Sequence, residues 1–468
     1  ERQGASWRTP APEPDESGPL PTKCVQYFVA GHLPLKDNNR KRKYRSLVST
    51  YLTFSPTGQE LLVNLGGEQV YLFDLHNLKK PKAFSVGDYR LPEHSNGVCK
   101  EVPSQVAEAL SANGTSIGST NGVTKHISHA TSYKLQEGSA HASIARSREL
   151  PPRAVALKQE GNRFFCELKD YTSAIRLFNQ ALSIAPNSTI LYGNRAAAFM
   201  RRKWDGDLYA ALRDCHSALS LDPSHQKAHF RLAQCLLELT WAREAQDCLK
   251  QYKFKFPDHG RHRDCEALDR DITAAVFSMC DSEDSSSTSD KDKVETSPRR
   301  RWSHQDHVSV EEKLLRGEAF DYAERFCGHC NTTTDIKEAN FFGSNGQFIV
   351  AGSDDGSFFV WERKTTNIVR VLRGDESIVN CLQPHPSSCL LATSGIDPVV
   401  RIWGPKPQDG KAEERCIREP DTAATANQRR MNADPLEVML MNMGYHITGM
   451  SDGSDDEGPD GPVQCRTS

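Results

Sequence analysis

The sequence predicts an α+β multidomain protein in which a block of paired helices interrupts a series of small antiparallel sheets. Two observations predict this fold class. Apolar residues recur with helical spacing from Pro151 to about Met279. Short β-rich runs bounded by turn residues lie on both sides of that block, from Leu47 to Asp74 and from Phe326 to Trp403.

Composition limits both the structure and the partners. Only 37% of the 468 residues are hydrophobic, which is low for a compact protein, so we expect part of the chain to be disordered. The formal net charge of −3 gives no overall attraction to nucleic acid or to an anionic membrane. No run approaches the roughly 20 apolar residues of a membrane span, and no secretory leader is visible. We therefore expect a cytoplasmic and nuclear protein with no nucleic-acid or membrane partner.

The first β-rich stretch reads as one antiparallel meander. The run Leu47–Phe54 leads through a Ser-Pro-Thr-Gly turn to the run Leu61–Val63. A Gly-Gly turn then leads to the run Val70–Asp74. Strands separated by such turns are typical of a small sheet or a propeller blade.

The helical block contains repeats. Tetratricopeptide repeats end in a pattern of small and aromatic residues followed by proline, and the residues that match this pattern are Tyr171, Ala174, Phe178, Ala181 and Pro186. Pro223 and Pro257 close two further units and lie 34 residues apart, the period of that family. Three stacked repeats can bury one another's apolar faces.

The second repeat is longer than the others. Pro186 and Pro223 lie 37 residues apart, and Phe199 to Ala211 spans twelve residues where the family has nine. We therefore expect an enlarged turn around residues 203–207. A capping helix is expected at about 263–279. Its apolar face consists of Leu268, Ile272, Ala275 and Met279.

Five polar residues in the first helices of the three repeats form a candidate peptide-binding set. They are Lys158, Asn162, Asn194, Lys227 and Arg231. Their spacing resembles the tetratricopeptide domains of co-chaperones that bind the C-terminal Glu-Glu-Val-Asp of heat-shock proteins. Residues four apart share one helix face, so the cations and amides can converge on a terminal and a side-chain carboxylate. The alternative is that these residues serve helix packing and solvation only.

Two segments after the helical block carry the marks of WD repeats, namely an Asp in the tight turn and a Trp that closes the third strand. Before the first strand the first segment has Gly328-His329 and the second has Gly374-Asp375. The residues in these roles are His329, Asp355, Trp361, Asp397 and Trp403. The two tryptophans lie 42 residues apart, within the family period of roughly 40–45. We expect the Asp, His and Trp of a blade to form a hydrogen-bonded structural set.

The blades are too few to close a propeller. With the meander as a degenerate third blade, the chain holds three, whereas a closed propeller has roughly 4–8. The sequence begins with Glu1 rather than Met, so we expect it to start partway through a longer protein whose other blades precede this residue.

The run Cys327-Gly328-His329-Cys330 has alternative interpretations. Its order matches the active site of protein disulfide isomerases, and the cysteine spacing also suggests zinc. A redox site of that kind lies at a helix N-terminus, whereas Asn-Thr-Thr-Thr follows here, and zinc would need a second Cys/His pair. No Gly-rich phosphate loop and no Ser-His-Asp order is present. We expect no enzyme activity, no cofactor and no metal.

The predicted fold class is therefore partial WD40 β-propeller blades interrupted by a three-repeat tetratricopeptide α-solenoid. The expected segments are a linker at 1–22, a degenerate blade at 23–84, a disordered linker at 85–149, tetratricopeptide repeats with a capping helix at 150–280, a disordered linker at 281–319, two WD blades at 320–406, a linker at 407–430, a C-terminal helix at 431–445 and an acidic disordered tail at 446–468. In that helix Pro435 would be the first residue and Gly444 the stop.

Propeller blades interrupted by three tetratricopeptide repeats are an uncommon combination. The stretches 191–207, 328–361, 374–403 and 427–444 resemble the adipose family of WD and tetratricopeptide repeat proteins. The resemblance implies a substrate receptor of a cullin-4 RING E3 ubiquitin ligase, docked through the damaged-DNA-binding protein 1 adaptor, with a role in restraining fat storage. The resemblance does not name the client proteins.

An alternative function is a chaperone-linked scaffold whose groove binds heat-shock protein carboxylates without ubiquitination. Ligase receptors of the resembled class dock through a blade that ends in Trp/Tyr-Asp-x-Arg. The three blade ends here, at 73–76, 361–364 and 403–406, do not match that ending. We therefore expect docking to use blades that precede Glu1.

Overall fold

The computed structural model describes residues 26–33, 47–82, 84, 85, 87, 150–284, 318–405 and 414–433. The chain divides into two units. The β unit comprises residues 1–82, 203–209 and 288–468, and the helical unit comprises residues 83–202 and 210–287.

The helical unit confirms the predicted tetratricopeptide pairs. Its helices are α1 (Pro152–Arg163), α2 (Tyr171–Ile184), α3 (Thr189–Arg202), α4 (Asp207–Leu221), α5 (Gln226–Glu238), α6 (Ala242–Lys255), the single turn α7 (Pro257–Gly260) and α8 (Arg263–Asp284). A π-helical turn, Phe164–Leu168, continues α1. The first three residues of α4 belong to the β unit.

Local sequence signals set these helix ends and contacts. The Asp170 side chain accepts a hydrogen bond from the Ser173 amide at 3.0 Å and so caps α2. Lys169, with φ of 56°, ends the preceding turn in the left-handed region. Gly161 lets α1 approach α2 closely, since a Cβ there would lie 2.7 Å from the Phe178 ring. Of the predicted repeat residues, Ala174, Phe178 and Ala181 are buried, whereas Tyr171 is half-buried and Pro186 is exposed.

The capping helix is confirmed with a longer extent than predicted. Leu268 and Ile272 of α8 are buried, as the predicted apolar face requires. The helix continues to Asp284, four residues into the stretch that the sequence assigned to a disordered linker. No helix among the described residues is long and apolar enough to cross a membrane.

The sequence predicts that the additional length of the second repeat lies in its turn, but in the structure it is not confined to that turn. Helix α3 has 14 residues and α4 has 15, whereas their counterparts α5 and α6 have 13 and 14. Residues 203–206 separate α3 from α4, and three residues separate α5 from α6. Each helix and the turn therefore take one of the three additional residues.

The β unit contains three sheets in the described residues. The first has the order β1 (Ser49–Phe54), β2 (Glu60–Leu65), β3 (Val70–Asp74), β4 (Glu324–Phe326). The second has the order β5 (Ala339–Phe342), β6 (Phe348–Gly352), β7 (Ser357–Glu362), β8 (Ile368–Arg373). The third contains β9 (Val379–Pro384), β10 (Leu391–Gly395) and β11 (Arg401–Trp403). All the strand pairs in these sheets are antiparallel.

The predicted blade boundaries need a correction at β4. The sequence assigned all of 320–406 to two blades, but β4 pairs with β3 and completes the first sheet, with Val70 opposite Phe326. The pairing is favourable because both of these side chains are fully buried in one apolar cluster. The WD repeat seen in the sequence therefore begins one strand earlier than the sheet, because its first strand completes the preceding sheet.

The predicted linker at 407–430 is wrong in its second half, which forms the helix α9 (Pro420–Asn432). Pro420 suits the first turn of a helix, and Ala424 and Met431 are buried. The Asn427 amide donates to the Gly328 carbonyl at 3.1 Å and to Asp355 Oδ2 at 3.0 Å. The C-terminal helix was predicted at 431–445, and all of it beyond residue 433 lies outside the described residues. The linker at 1–22, residues 88–149 and 285–317 of the two predicted disordered linkers, and the acidic tail at 446–468 lie outside them as well.

Residues 203–209 contribute a set of buried side chains to the β unit. Trp204 joins the apolar cluster that contains Phe326 and Trp361. Arg325 Nη2 donates to Asp207 Oδ1 at 2.6 Å, and the Tyr209 hydroxyl donates to Asp321 Oδ2 at 2.8 Å. Arg325 and Asp207 are almost completely buried, so each charge depends on the other.

We predict that Asp207→Ala destabilises the β unit by about 3–5 kcal/mol, because the Arg325 guanidinium then stays buried without its carboxylate. Urea unfolding followed by tryptophan fluorescence measures this loss. Asp335→Ala is the matched control, because Asp335 is exposed, and it should change the free energy of unfolding by less than about 0.5 kcal/mol. Equal stabilities of the two variants would contradict the role given to the ion pair.

Candidate peptide-binding site

The structure places the five predicted binding residues on the first helix of each pair. Lys158 and Asn162 lie on α1, Asn194 lies on α3, and Lys227 and Arg231 lie on α5.

Two hydrogen bonds connect these three helices through the predicted residues. Asn194 Nδ2 donates to Asn162 Oδ1 at 2.9 Å, which joins α3 to α1. Arg231 Nη1 donates to the Gly193 carbonyl at 2.9 Å, which joins α5 to α3. The structure therefore brings Asn162, Asn194 and Arg231 into one chain of contacts.

The two lysines differ from these three residues. Lys158 is half-buried and Lys227 is exposed. Neither ammonium forms an ion pair or a hydrogen bond with any residue in the described parts of the chain. The lysines are therefore available to an anionic ligand, whereas the Arg231 side chain already donates a hydrogen bond to the Gly193 carbonyl of α3.

Gly193 and His225 complete the surroundings of Arg231, and neither was singled out from the sequence. A Cβ on Gly193 would lie 3.2 Å from His225 Cε1 and 3.7 Å from Arg231 Nη1, so glycine leaves room for both side chains. His225 Nδ1 accepts a hydrogen bond from the Ala228 amide at 3.1 Å and caps α5. Burial lowers the pKa of His225 and also that of Arg231. The position of His225 directly before a helix was the signal available in the sequence.

A second polar network stabilises the helical unit next to the candidate site. Arg195 donates from Nε and Nη2 to both carboxylate oxygens of Asp214, at 2.8 and 2.7 Å. Its Nη1 donates to Asn179 Oδ1 at 2.8 Å. This fork joins α2, α3 and α4, and it holds the helix that carries the neighbouring Asn194.

The predicted WD residues of the second sheet meet, but with other hydrogen bonds than expected. His329 lies edge-on to the Trp361 ring, with centroids 5.9 Å apart. The Trp361 indole donates to the Cys327 carbonyl at 2.9 Å, and His329 Nε2 is hydrogen-bonded to Asn64 Oδ1 at 3.0 Å. Asp355 accepts instead from the Ser357 amide at 3.1 Å.

The third sheet also departs from the expected set. The Trp403 indole donates to Thr393 Oγ1 at 2.8 Å rather than to an aspartate. Asp397 accepts from Arg401 Nη2 at 2.8 Å and from the Glu376 amide at 3.1 Å. In each sheet the tryptophan is held by a partner that the spacing did not identify.

A buried ion pair lies beside His329. Lys337 Nζ is 2.9 Å from Asp354 Oδ1, and both side chains are almost completely buried. Asp354 Oδ2 also accepts from the Thr332 and Thr333 amides at 2.6 and 3.0 Å. Burial would raise the pKa of Asp354, but Lys337 and these amides lower it overall.

The dithiol interpretation of Cys327 and Cys330 finds no support in the geometry. Burial, together with the nearby Asp354 carboxylate, raises the pKa of the Cys330 thiol to about 12. A redox site of this kind needs a thiolate at neutral pH. Among the described residues, no three His, Cys, Asp or Glu side chains are grouped as a metal ion would require.

We predict that His329 makes the β unit sensitive to acid. Burial, with Lys337 nearby, lowers its pKa to about 4 in the folded chain, against about 6.5 when unfolded. The unfolded chain therefore binds the proton first, and between about pH 6.5 and pH 4 stability falls by up to about 1.4 kcal/mol per pH unit.

Melting temperatures of the wild type and of His329→Gln, recorded from pH 7.5 to 4.5, measure this effect. His329→Gln should show a shallower decline than the wild type. His76→Gln, at an exposed histidine, should follow the wild type. A common slope for all three chains would contradict the prediction.

Comparisons with known proteins agree with both repeat types. The family model described as tetratricopeptide repeat matches residues 205–267. The model described as WD domain, G-beta repeat matches residues 322–362 and 366–404. Each WD match begins with the last strand of one sheet and continues into the next, which is the offset seen at β4.

Relatives extend the similarity beyond the repeats. The chain is 54% identical over 461 residues to human "WD and tetratricopeptide repeats protein 1", and 53% identical to the mouse protein. These alignments cover 97% of the chain and 65% of the length of the relatives. A shorter match, 51% identical over 78 residues, covers 17% of the chain and 9% of human "DDB1- and CUL4-associated factor 6".

A solved structure resembles the helical repeats. The first tetratricopeptide domain of Spaghetti (RPAP3), bound to the HSP90 peptide SRMEEVD, is 26% identical and matches with a TM-score of 0.25. The match covers 27% of this chain and 94% of that domain. The two family models and the alignments with the human and mouse relatives show a protein of tetratricopeptide and WD repeats, similar along 97% of its length to WD and tetratricopeptide repeats protein 1.

Proposed function

We propose that the chain is a protein-interaction scaffold whose helical unit binds the acidic C-terminus of a partner protein. The partner class is the heat-shock chaperones that end in Glu-Glu-Val-Asp. The observation that carries the proposal is the arrangement of Lys158, Asn162, Asn194, Lys227 and Arg231 on α1, α3 and α5, with hydrogen bonds joining the three helices.

The available donors suit a pair of carboxylates. Asn162 Oδ1 accepts from Asn194, which leaves the Asn162 amide nitrogen to donate to a ligand oxygen. Lys158 and Lys227 supply two ammonium groups that form no ion pair or hydrogen bond within the described parts of the chain. Hydrogen bonds from charged donors to carboxylates are about twice as strong as neutral ones. A C-terminal aspartate offers two carboxylates to these donors.

Arg231 has a supporting role in this proposal. Its side chain is half-buried and already donates to the Gly193 carbonyl, so it fixes α5 against α3 and places Lys227. The function proposed for this set is binding, because its two amides, two ammonium groups and one guanidinium can hold a pair of carboxylates.

We predict that Lys158→Ala combined with Lys227→Ala weakens binding of a Glu-Glu-Val-Asp peptide by about tenfold or more, because two charge-assisted bonds are lost. Calorimetric titration of the chain with the peptide measures the change. Lys250→Ala, at an exposed lysine of α6, is the control and should leave the affinity within about twofold.

The same titration with a C-terminally amidated peptide tests the role of the terminal carboxylate. Amidation should reduce affinity for the wild type and have little effect on the double variant. If the double variant bound the free-acid peptide as the wild type does, the groove would not be a carboxylate site.

A second candidate function is substrate receptor of a cullin-4 RING ubiquitin ligase, docked through the damaged-DNA-binding protein 1 adaptor. It is supported by the match to a protein whose name states association with DDB1 and CUL4. In this scheme the helical groove holds a client and other blades hold the adaptor. The blade end Trp361-Glu362-Arg363-Lys364 lacks the Trp/Tyr-Asp-x-Arg ending, so adaptor contacts would lie elsewhere. A role in restraining fat storage, and action in both cytoplasm and nucleus, belong to this same proposal.

We predict that affinity purification of the full-length protein from cells recovers the adaptor and cullin-4 together with chaperones. The Lys158→Ala, Lys227→Ala variant should lose the chaperones and keep the adaptor, because the two sites are separate. Recovery of chaperones without the adaptor would favour the scaffold function alone. Recovery of neither would contradict both candidates.

A further inference from the structure

The outer strand of the second sheet carries an additional short segment. The β8 residue Leu372 forms a bridge with Cys416. The Arg373 amide donates to the Arg415 carbonyl at 2.8 Å, and the Ile417 amide donates to the Val371 carbonyl at 2.9 Å. Residues 415–417 therefore lie antiparallel to β8.

This register places arginines opposite one another. Arg373 lies opposite Arg415, and extending the register by one residue beyond the Val371–Ile417 pair brings Arg370 opposite Arg418, on the other face of the sheet. We call these four residues the arginine edge. All four are exposed. The segment is fixed from the other side, because Ile417 packs against the apolar cluster that contains Val371.

Like charges directly opposite on neighbouring strands destabilise a sheet. None of the four arginines forms an ion pair with an acid in the described parts of the chain. Arg415 donates to the Arg373 carbonyl at 3.4 Å, and Arg370 donates to the Val369 carbonyl at 3.2 Å. These bonds to neutral oxygens leave the repulsion in place.

The acids around the arginine edge do not cancel its charge. Glu414 and Glu419 flank the paired segment and are exposed. Asp397 is paired with Arg401 at 2.8 Å. The edge therefore keeps an excess of positive charge that a negatively charged partner would stabilise.

The backbone of the segment indicates the shape of the partner. The Arg415 carbonyl and the Ile417 amide form hydrogen bonds with β8, so the main-chain polar groups of Cys416 between them point away from β8. The Cys416 and Arg418 amides donate no hydrogen bond within the described residues. An unpaired strand edge binds extended peptides by adding a strand, and alternate side chains of such a peptide reach both faces. Nucleic acid has no matching ladder of amides, so the geometry favours a peptide.

We propose that the arginine edge is a docking site for an extended acidic segment of a partner protein, which adds a strand beside residues 415–418 and neutralises Arg370, Arg373, Arg415 and Arg418. The site belongs to the β unit and needs no free C-terminus. It is therefore independent of the peptide-binding function proposed for the helical unit.

The test uses a peptide of eight glutamates, whose alternate carboxylates reach both faces of the sheet, with an acetylated N-terminus, an amidated C-terminus and a fluorescent label. The amide prevents binding through a terminal carboxylate. Fluorescence anisotropy in low salt measures its affinity for the whole chain. We expect binding that Arg370→Gln with Arg418→Gln weakens by about tenfold or more. The matched control, Arg429→Gln with Arg430→Gln, removes two exposed arginines of α9 and should leave affinity within about twofold.

Further arms keep the outcomes distinct. Arg373→Gln with Arg415→Gln should weaken binding as the first variant does, and melting temperatures at or above that of the wild type would show that both fold, because each variant removes a pair of opposed like charges. Equal weakening by the α9 control would mean unspecific charge attraction and would overturn the proposal. Tighter binding of a single-stranded DNA 12-mer, lost in the same variants, would assign the edge to nucleic acid instead. If the peptide bound only after deletion of residues 446–468, the chain's own acidic tail would be the occupant and the partner assignment would be wrong.

Discussion

The buried ion pair between Arg325 and Asp207 is the constraint on which the β unit depends. A guanidinium without access to water needs a carboxylate, and this one comes from a residue that begins a helix of the second repeat. Trp204, Asp205 and Tyr209 of the same stretch are also buried, so packing as well as charge constrains which side chains residues 203–209 can carry.

The period of both repeats could be read from the sequence because it is a local property. Proline spacing located the helix pairs, and tryptophan spacing located the second and third sheets. The missing information was non-local. β4 joins β3 across the whole helical block, and no pattern within either strand indicates that partner. α9 was missed because its buried face includes Asn427 and Gln428, whose amides bond across the unit and give no apolar stripe.

The candidate sites show the same division. The five groove residues could be chosen by spacing, since positions four apart on a helix share a face. The hydrogen bond between Arg231 and the Gly193 carbonyl could not be predicted from spacing, because it depends on how closely α5 approaches α3. Likewise, His329 was recognised, but its partner is Asn64 of the first sheet. Asn331 Nδ2 donates to the same Asn64 oxygen, so the first sheet supplies a polar partner to both His329 and Asn331.

The closure of the first sheet by β4 has a consequence for synthesis. Val70 and Phe326 pair although 256 residues separate them. At roughly 5–20 residues per second, a ribosome makes the intervening chain in about 13–50 s. During that interval β3 has emerged with its hydrogen-bonding edge uncovered, and such edges recruit other strands. The nascent chain therefore passes through a period of aggregation risk. The number of residues between β3 and β4 sets the duration of this period, and slower translation prolongs it.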